Sequence, residues 1–226
     1  MHFVLLGTGK TGSIVEEIAR ERGHHVTIIS EEENPNGIAL TRERLAGVDA
    51  VIDFTTPHAV IGNIVAATQA GANLVVGTTG WYDQLPKVKE LVERCGTGLV
   101  WASNFSIGVN LFFEIVRAAS AALKYGYAGS IMERHHVHKK DAPSGTAVSL
   151  QNMVREAAGT EVEITSVREG ETVGLHVLML DSEADSILLT HDAKNRRGFA
   201  EGAVRAAEWV AGKKGFYEFK DVFGQL

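Results

Sequence analysis

Phe3-Val4-Leu5-Leu6-Gly7-Thr8-Gly9-Lys10-Thr11-Gly12 decides how the chain is read, because four apolar residues run straight into a glycine-spaced turn. Ile14, Val15, Ile18 and Ala19 then recur at helical spacing until Gly23. A buried strand, a G-x-G-x-x-G turn and an amphipathic helix in that order form the first half of a parallel βαβ unit. Gly7 allows the tight turn, Gly9 lets backbone approach a pyrophosphate, and Gly12 lets the helix pack against the strand. A second strand at 25–30 leads to Glu31, about 20 residues on, where a ribose-binding acid belongs. Together these features predict a Rossmann-like dinucleotide site at Gly7, Thr8, Gly9, Lys10, Thr11, Gly12 and Glu31. A carboxylate at Glu31 accepts ribose hydroxyls and repels a 2′-phosphate, whereas Lys10 argues the other way. The expected cofactor is NADH, with NADPH tolerated.

The α/β pattern continues outward from there. Strands are expected at 49–54, 73–76 and 98–102, with helices at 58–70 and 85–94 between them. Small polar turns follow the strand ends, Thr55-Thr56-Pro57, Gly77-Thr78-Thr79-Gly80 and Ser103-Asn104-Phe105-Ser106. Open α/β sheets hold ligands at the carboxyl ends of their strands, so these turns suggest one continuous ligand edge. A helical pattern over 107–123 carries the chain into a second region, with strands at 161–168, 173–181 and 186–193. Strands in a row without helices between them imply an open mixed or antiparallel sheet in an α+β domain. Arg168-Glu169-Gly170 and Gly174-x-His176 are expected on a hairpin of that sheet, either as structural residues or in touch with substrate. An Ala-rich helix at 199–212 is expected to return to the first domain. The expected domains are therefore 1–105 plus 199–226 for the dinucleotide, and 106–198 for substrate and oligomerisation.

The chemistry concentrates in Glu133-Arg134-His135-His136-Val137-His138-Lys139-Lys140-Asp141-Ala142-Pro143-Ser144-Gly145-Thr146-Ala147. A strand over 130–138 sets His135 beside Val137 on one face and His136 beside His138 on the other. After Pro143, Ser144 or Thr146 caps a helix running to about 158. Free amides at a helix start, with Lys139 or Lys140 nearby, make a seat for a carboxylate or phosphate. An imidazole beside that seat is a proton source working near neutral pH. Any one of these residues alone reads as structural or solvated, but a core strand gains nothing from three histidines. A metal site is disfavoured, since the neighbouring lysines repel a cation.

Composition bounds the rest. The 226 residues carry a net charge of −6, against nonspecific nucleic-acid binding, and the 45% hydrophobic content is ordinary for a globular chain. Cys95 is the single cysteine, so no intrachain disulfide forms and a reducing, cytoplasmic setting is expected. No leader peptide and no apolar run of membrane-spanning length are read.

Gly-Thr-Thr-Gly at 77–80, Ala-Ser-Asn-Phe-Ser at 102–106 and His-His-x-His-Lys-x-Asp-Ala-Pro-Ser-Gly-Thr-Ala at 135–147 resemble the 4-hydroxy-tetrahydrodipicolinate (dihydrodipicolinate) reductase family. Ser166-Val167-Arg168-x-Gly170, Gly174-x-His176 and Phe199-Ala200-x-Gly202-Ala203 add to the likeness, which covers nearly the whole chain in order. The glycine loop is one residue shorter than that family's usual G-x-x-G-[RK]-x-G. The resemblance implies NAD(P)H-dependent reduction of a cyclic unsaturated dicarboxylate in diaminopimelate and lysine biosynthesis, by a homotetramer assembled through the open sheet. It implies His135 as proton donor and Lys139 as a second acid/base or orienting group. His136, Ser144, Gly145 and Thr146 then bind substrate carboxylates. Gly7 to Gly12, Gly77, Thr78, Thr79, Ala102, Ser103, Asn104 and Phe105 bind the dinucleotide. The rivals are another two-domain reductase of the aspartate- or homoserine-dehydrogenase type, and a non-catalytic nucleotide-sensing module.

Overall fold

The computed structural model describes all 226 residues, which divide into two compact units, 1–107 with 197–226 and 108–196. In unit 1 the strands β1 (His2–Leu6), β2 (His25–Ile29), β3 (Ala50–Asp53), β4 (Leu74–Val76) and β5 (Gly98–Trp101) are joined by β10 (Gly215–Glu218). All six run parallel in the order β10-β5-β4-β3-β1-β2. Strands covered on both faces need near-continuous apolar runs, and β1, β3 and β4 comply apart from His2 at the start of β1 and Asp53 at the end of β3. Helices α1 (Gly12–Glu21) and α6 (Arg197–Val210) cover one face, where Phe3, Leu5, Ile52 and Val100 meet Val15, Ala203 and Ala207. Helices α2 (Val60–Ala70) and α3 (Leu85–Cys95) cover the other, where Val4, Leu6, Val51 and Leu99 meet Ile64, Val88 and Val92. The reversal of strand order between β1 and β3 opens the crevice in which such sheets bind ligands.

Unit 2 opens on helix α4 (Ile107–Ala119), whose Phe112 and Val116 join its core. Its sheet has the order β7-β6-β8-β9, built from β6 (Ala128–His135), β7 (Glu163–Arg168), β8 (Gly174–Asp181) and β9 (Ser186–Ala193). Strands β6 and β7 pair in parallel and the other two pairs are antiparallel, so the sheet is mixed. Helix α5 (Gly145–Ala158) packs Ala147, Leu150 and Val154 on Ile131, Leu178 and Leu180. No helix of either unit is long and apolar enough to cross a membrane.

Several expectations are corrected. Strand β6 stops at His135, and residues after it turn, so His136, Val137 and His138 share no strand face with His135. The 107–123 pattern is α-helix only to Ala119 and then tightens to a 3-10 segment, Ser120–Tyr125, closed by Gly126 with φ +89°. Arg168 and Gly174 lie on no common hairpin, because β6 lies between β7 and β8. Strand β10 was not expected at all: four half-buried residues at a sheet edge carry no periodic signal, and only pairing with β5 defines them.

Candidate active site

Two groups of residues carry chemistry, one in each unit. In unit 1 the loop from β1 to α1 is held by close contact. Gly7 has φ +86°, and a Cβ there would lie 2.2 Å from the Phe54 carbonyl oxygen. A Cβ on Gly12 would lie 1.9 Å from the Gly7 oxygen. By contrast, nothing in the chain lies within 4 Å of a Cβ on Gly9, so that backbone faces open space. A cleft of about 400 Å³ lies over the loop, lined by Gly7, Thr8, Gly9, Glu31, Asn34 and Asn63 among others. A second of about 250 Å³ gathers Gly9, Lys10, Thr11 and Gly12 with Gly77, Thr78 and Thr79. A glycine turn feeding a helix N-terminus, with Glu31 across the first cleft, suits a dinucleotide whose pyrophosphate meets open backbone.

The remaining predicted loop lines neither cleft. Ala102 and Phe105 are buried in the core, the Phe105 ring tilted against that of Phe219 with centroids 4.8 Å apart. Asn104 accepts from the Ser106 amide at 2.9 Å and turns the chain into α4, with Ser103 just before it.

Sequence reasoning missed the hub of this edge. Asp53, wholly buried at the end of β3, accepts from the Thr55 amide (2.9 Å), the Thr55 hydroxyl (2.7 Å), the Thr78 hydroxyl (2.7 Å) and Asn63 Nδ2 (2.8 Å). Burial raises its pKa, opposed by those four hydrogen bonds. The Thr78 hydroxyl is thus turned inward to the fold, and only its backbone is available to a ligand. Asn63 passes the network to Asn34 at 2.8 Å. Phe54 lines both clefts, and its ring leaves no room for a side chain at Gly77. The signal lay in a charged residue closing an otherwise apolar strand.

In unit 2 the histidine run meets the start of α5. Ser144 takes extended φ/ψ (−66°, 152°) and caps the helix, its Oγ accepting from the Ala147 amide at 3.2 Å. Its amide donates to Glu133 Oε1 at 3.3 Å, and its hydroxyl lies 3.1 Å from His176 Nε2. At 1% exposure, Ser144 has its polar groups engaged within the protein. The next two amides, of Gly145 and Thr146, find no acceptor, and space above Gly145 is open. Those are the groups left for an anion.

His135 is packed against the same carboxylate. Its Nδ1 bonds Glu133 Oε2, while its Nε2 meets no protein partner. Burial lowers the His135 pKa, and Glu133 pulls it the other way. Its ring stands 5.1 Å from that of His176, edge to face. Burial and the neighbouring His135 hold His176 down to about 4, which keeps it neutral near pH 7. His136 is half-buried with its Nδ1 unpartnered, 6.2 Å ring to ring from His138. Lys139 is not a free cation: it donates to Asp141 at 2.8 Å and holds that carboxyl below its usual range. Lys140 is exposed. Glu133 and Asp141 stand in the quoted run and Arg168 and His176 in quoted motifs, but sequence reasoning assigned none of the four a definite role in the site.

Comparison with known proteins covers both units. Residues 1–105 match the family model described as dihydrodipicolinate reductase, N-terminus, and residues 108–223 match the one described as its C-terminus. A 4-hydroxy-tetrahydrodipicolinate reductase from Christiangramia forsetii is 35% identical over 100% of this chain and 99% of its own length. One from Ralstonia pickettii is 40% identical over 83% of this chain and 80% of its own. The solved structure of dipicolinate-bound dihydrodipicolinate reductase from Paenisporosarcina sp. TG-14 superposes with a TM-score of 0.80 at 26% identity, covering 98% of this chain and 99% of that one.

Proposed function

Since the chain belongs to the dihydrodipicolinate reductase family, we propose that its reduction of 4-hydroxy-tetrahydrodipicolinate places the diacid on His136, Gly145 and Thr146, with His135 as proton donor. The reaction is the NAD(P)H-dependent reductive step of diaminopimelate and lysine biosynthesis. One observation supports the residue roles above others. One buried carboxylate, that of Glu133, grips both His135 and the Ser144 amide, so the proton source and the anion seat are fixed to one point.

Bound against Gly7–Gly12 and Gly77–Thr79, the reduced nicotinamide cofactor supplies the hydride. The chain's own groups do the rest. Open amides at Gly145 and Thr146 take one carboxylate, and His136 with Lys139 takes the other. Fixing a flat diacid at two ends supplies rate through orientation. Charge developing on the ring nitrogen and adjacent carbon is stabilised by Lys139 and quenched by the His135 proton. With pyridine-2,6-dicarboxylate, a flat mimic, crystals are expected to show one carboxylate on the Gly145 and Thr146 amides. A diacid seated on other residues would overturn the assignment.

NADH is the preferred cofactor in this reading, because Glu31 and Glu32 line the cleft where a 2′-phosphate would sit. With freshly generated substrate, kcat/KM is expected to be higher with NADH than with NADPH. Glu31→Ser is expected to raise the NADPH value roughly tenfold, the equivalent of ~1.4 kcal/mol of relieved repulsion. An unchanged ratio would remove Glu31 from the selectivity. A purely nucleotide-sensing module would instead bind NADH without oxidising it.

The assembly is a homotetramer formed through the sheet face that α5 leaves uncovered, where Met179 (42%) and Leu188 (62%) stand exposed as cross-strand partners. Light scattering is expected to give four times the 24.4 kDa chain mass, falling on Leu188→Arg. A monomer in the parent protein would refute this. The exposed free thiol of Cys95 suits the reducing cytoplasm.

A further inference from the structure

A strand that packs a helix on one face normally sends apolar side chains there, yet β6 buries Glu133 completely on that face, between Ile131 and His135. Enclosing a carboxylate is strongly unfavourable unless its lone pairs are met. Here they are. Arg168 donates through Nη1 to Oε2 at 3.0 Å and through Nη2 to Oε1 at 2.9 Å. The Ser144 amide adds a third bond, and His135 Nδ1 a fourth. Burial raises the Glu133 pKa, but the hydrogen bonds from Arg168, Ser166 and His135 outweigh it and hold the value at about 2. Arg168 is itself braced by the Val167 and Asp141 carbonyls at 2.7 and 2.6 Å. A bidentate arginine would satisfy this carboxylate as a plain ion pair, and the imidazole is an addition to it.

Resting on the reading of His135 as proton donor, we infer that Glu133 is the positioning residue of the proton transfer. It holds the imidazole by Nδ1–H, so that the proton given up and regained is always the one on Nε2. In the step, the Nε2–H bond breaks toward the substrate atom and its electron pair stays on nitrogen. The Nδ1–H remains with Glu133, and solvent returns a proton to Nε2. The groups facing His135 are Glu133 from its own strand, Arg168 from β7, His176 from β8 and Lys139 from the following loop. Arg168, Lys139 and burial all disfavour the imidazolium, and Glu133 alone favours it. Gly174 of β8 completes the arrangement. A Cβ there would lie 3.0 Å from Nε2, so its absence keeps the working nitrogen open.

The test is Glu133→Gln in the full-length enzyme, with kcat followed against pH and His135→Gln as reference. A general acid works below its pKa and fails as pH rises through it. Losing the carboxylate should therefore move the alkaline limb of kcat down by about one pH unit or more. The plateau should fall on the order of 10²-fold or more, with KM for the diacid changing far less. A limb that stays in place while amplitude falls at every pH marks Glu133 as structural only and overturns the inference. If His135→Gln turns over normally, the donor assignment fails instead. Should Glu133→Gln not fold, ¹⁵N spectra of the parent enzyme decide the matter. Neutral His135 is expected as the Nδ1–H tautomer, and an Nε2–H tautomer overturns the inference.

Discussion

Changing His135 to glutamine is expected to lower kcat by 10²–10⁴-fold, the usual worth of one positioned general acid. Glutamine keeps a hydrogen-bonding side chain on the Glu133 carboxylate but has no proton to give. The KM for the diacid and the Kd for NADH should change by only about threefold or less, because the lost interaction belongs to the transition state. The pH dependence follows from the same ring. Burial lowers the His135 pKa and Glu133 opposes that, so the acid form and the rate are lost as pH rises through the resulting value. Lys139→Ala should also slow turnover, and it should weaken diacid binding too, if the ammonium leaves Asp141 for the roles proposed for it. A His135→Gln enzyme with near-normal turnover would dismantle the mechanism.

The glycine loop should separate two kinds of damage. Gly12→Ala puts a methyl 1.9 Å from the Gly7 oxygen, which no rotamer can relieve because both partners are backbone. Overpacking of this kind costs roughly 1–3 kcal/mol, more than the ~1 kcal/mol that alanine gains in a helix. Gly12→Ala should therefore lower Tm and weaken NADH binding on the order of 10²-fold, as the turn no longer closes. Gly9→Ala meets nothing in the chain. It should leave Tm unchanged and still weaken NADH, because the methyl occupies the space proposed for the pyrophosphate. Tight NADH binding by Gly9→Ala, measured by fluorescence titration, would move the pyrophosphate elsewhere.

Much of this was readable from local pattern. The glycine turn, the apolar runs of β1, β3 and β4, and the α5 span from Gly145 to Ala158 with Ser144 ahead of it all depend on neighbours in sequence. Strand β9 showed its bounds for the same reason. What sequence hid was long-range. The parallel pairing of β6 with β7 places His135 beside Arg168, a register no local signal records. Glu133 looked like one more charge beside Arg134, because its burial depends on an arginine 35 residues away. The Lys139–Asp141 pair, by contrast, is local, two residues apart, but an i to i+2 pairing in an irregular loop follows no periodic rule, so Lys139 looked free.

Strand β10 completes the nucleotide-binding sheet by setting Tyr217 against Val100, across an insertion that spans the whole of unit 2. On the ribosome, residues 1–107 therefore emerge long before the strand and helix that finish their layer, and α6 is missing from one face meanwhile. The inserted unit has its entire sequence in hand earlier, so it can mature while its host still waits with one side of its sheet covered by α1 alone. Joining residues 215–218 to β5 therefore comes after the whole insertion has been made, and the apolar face that α6 covers in the finished fold stays partly open until then.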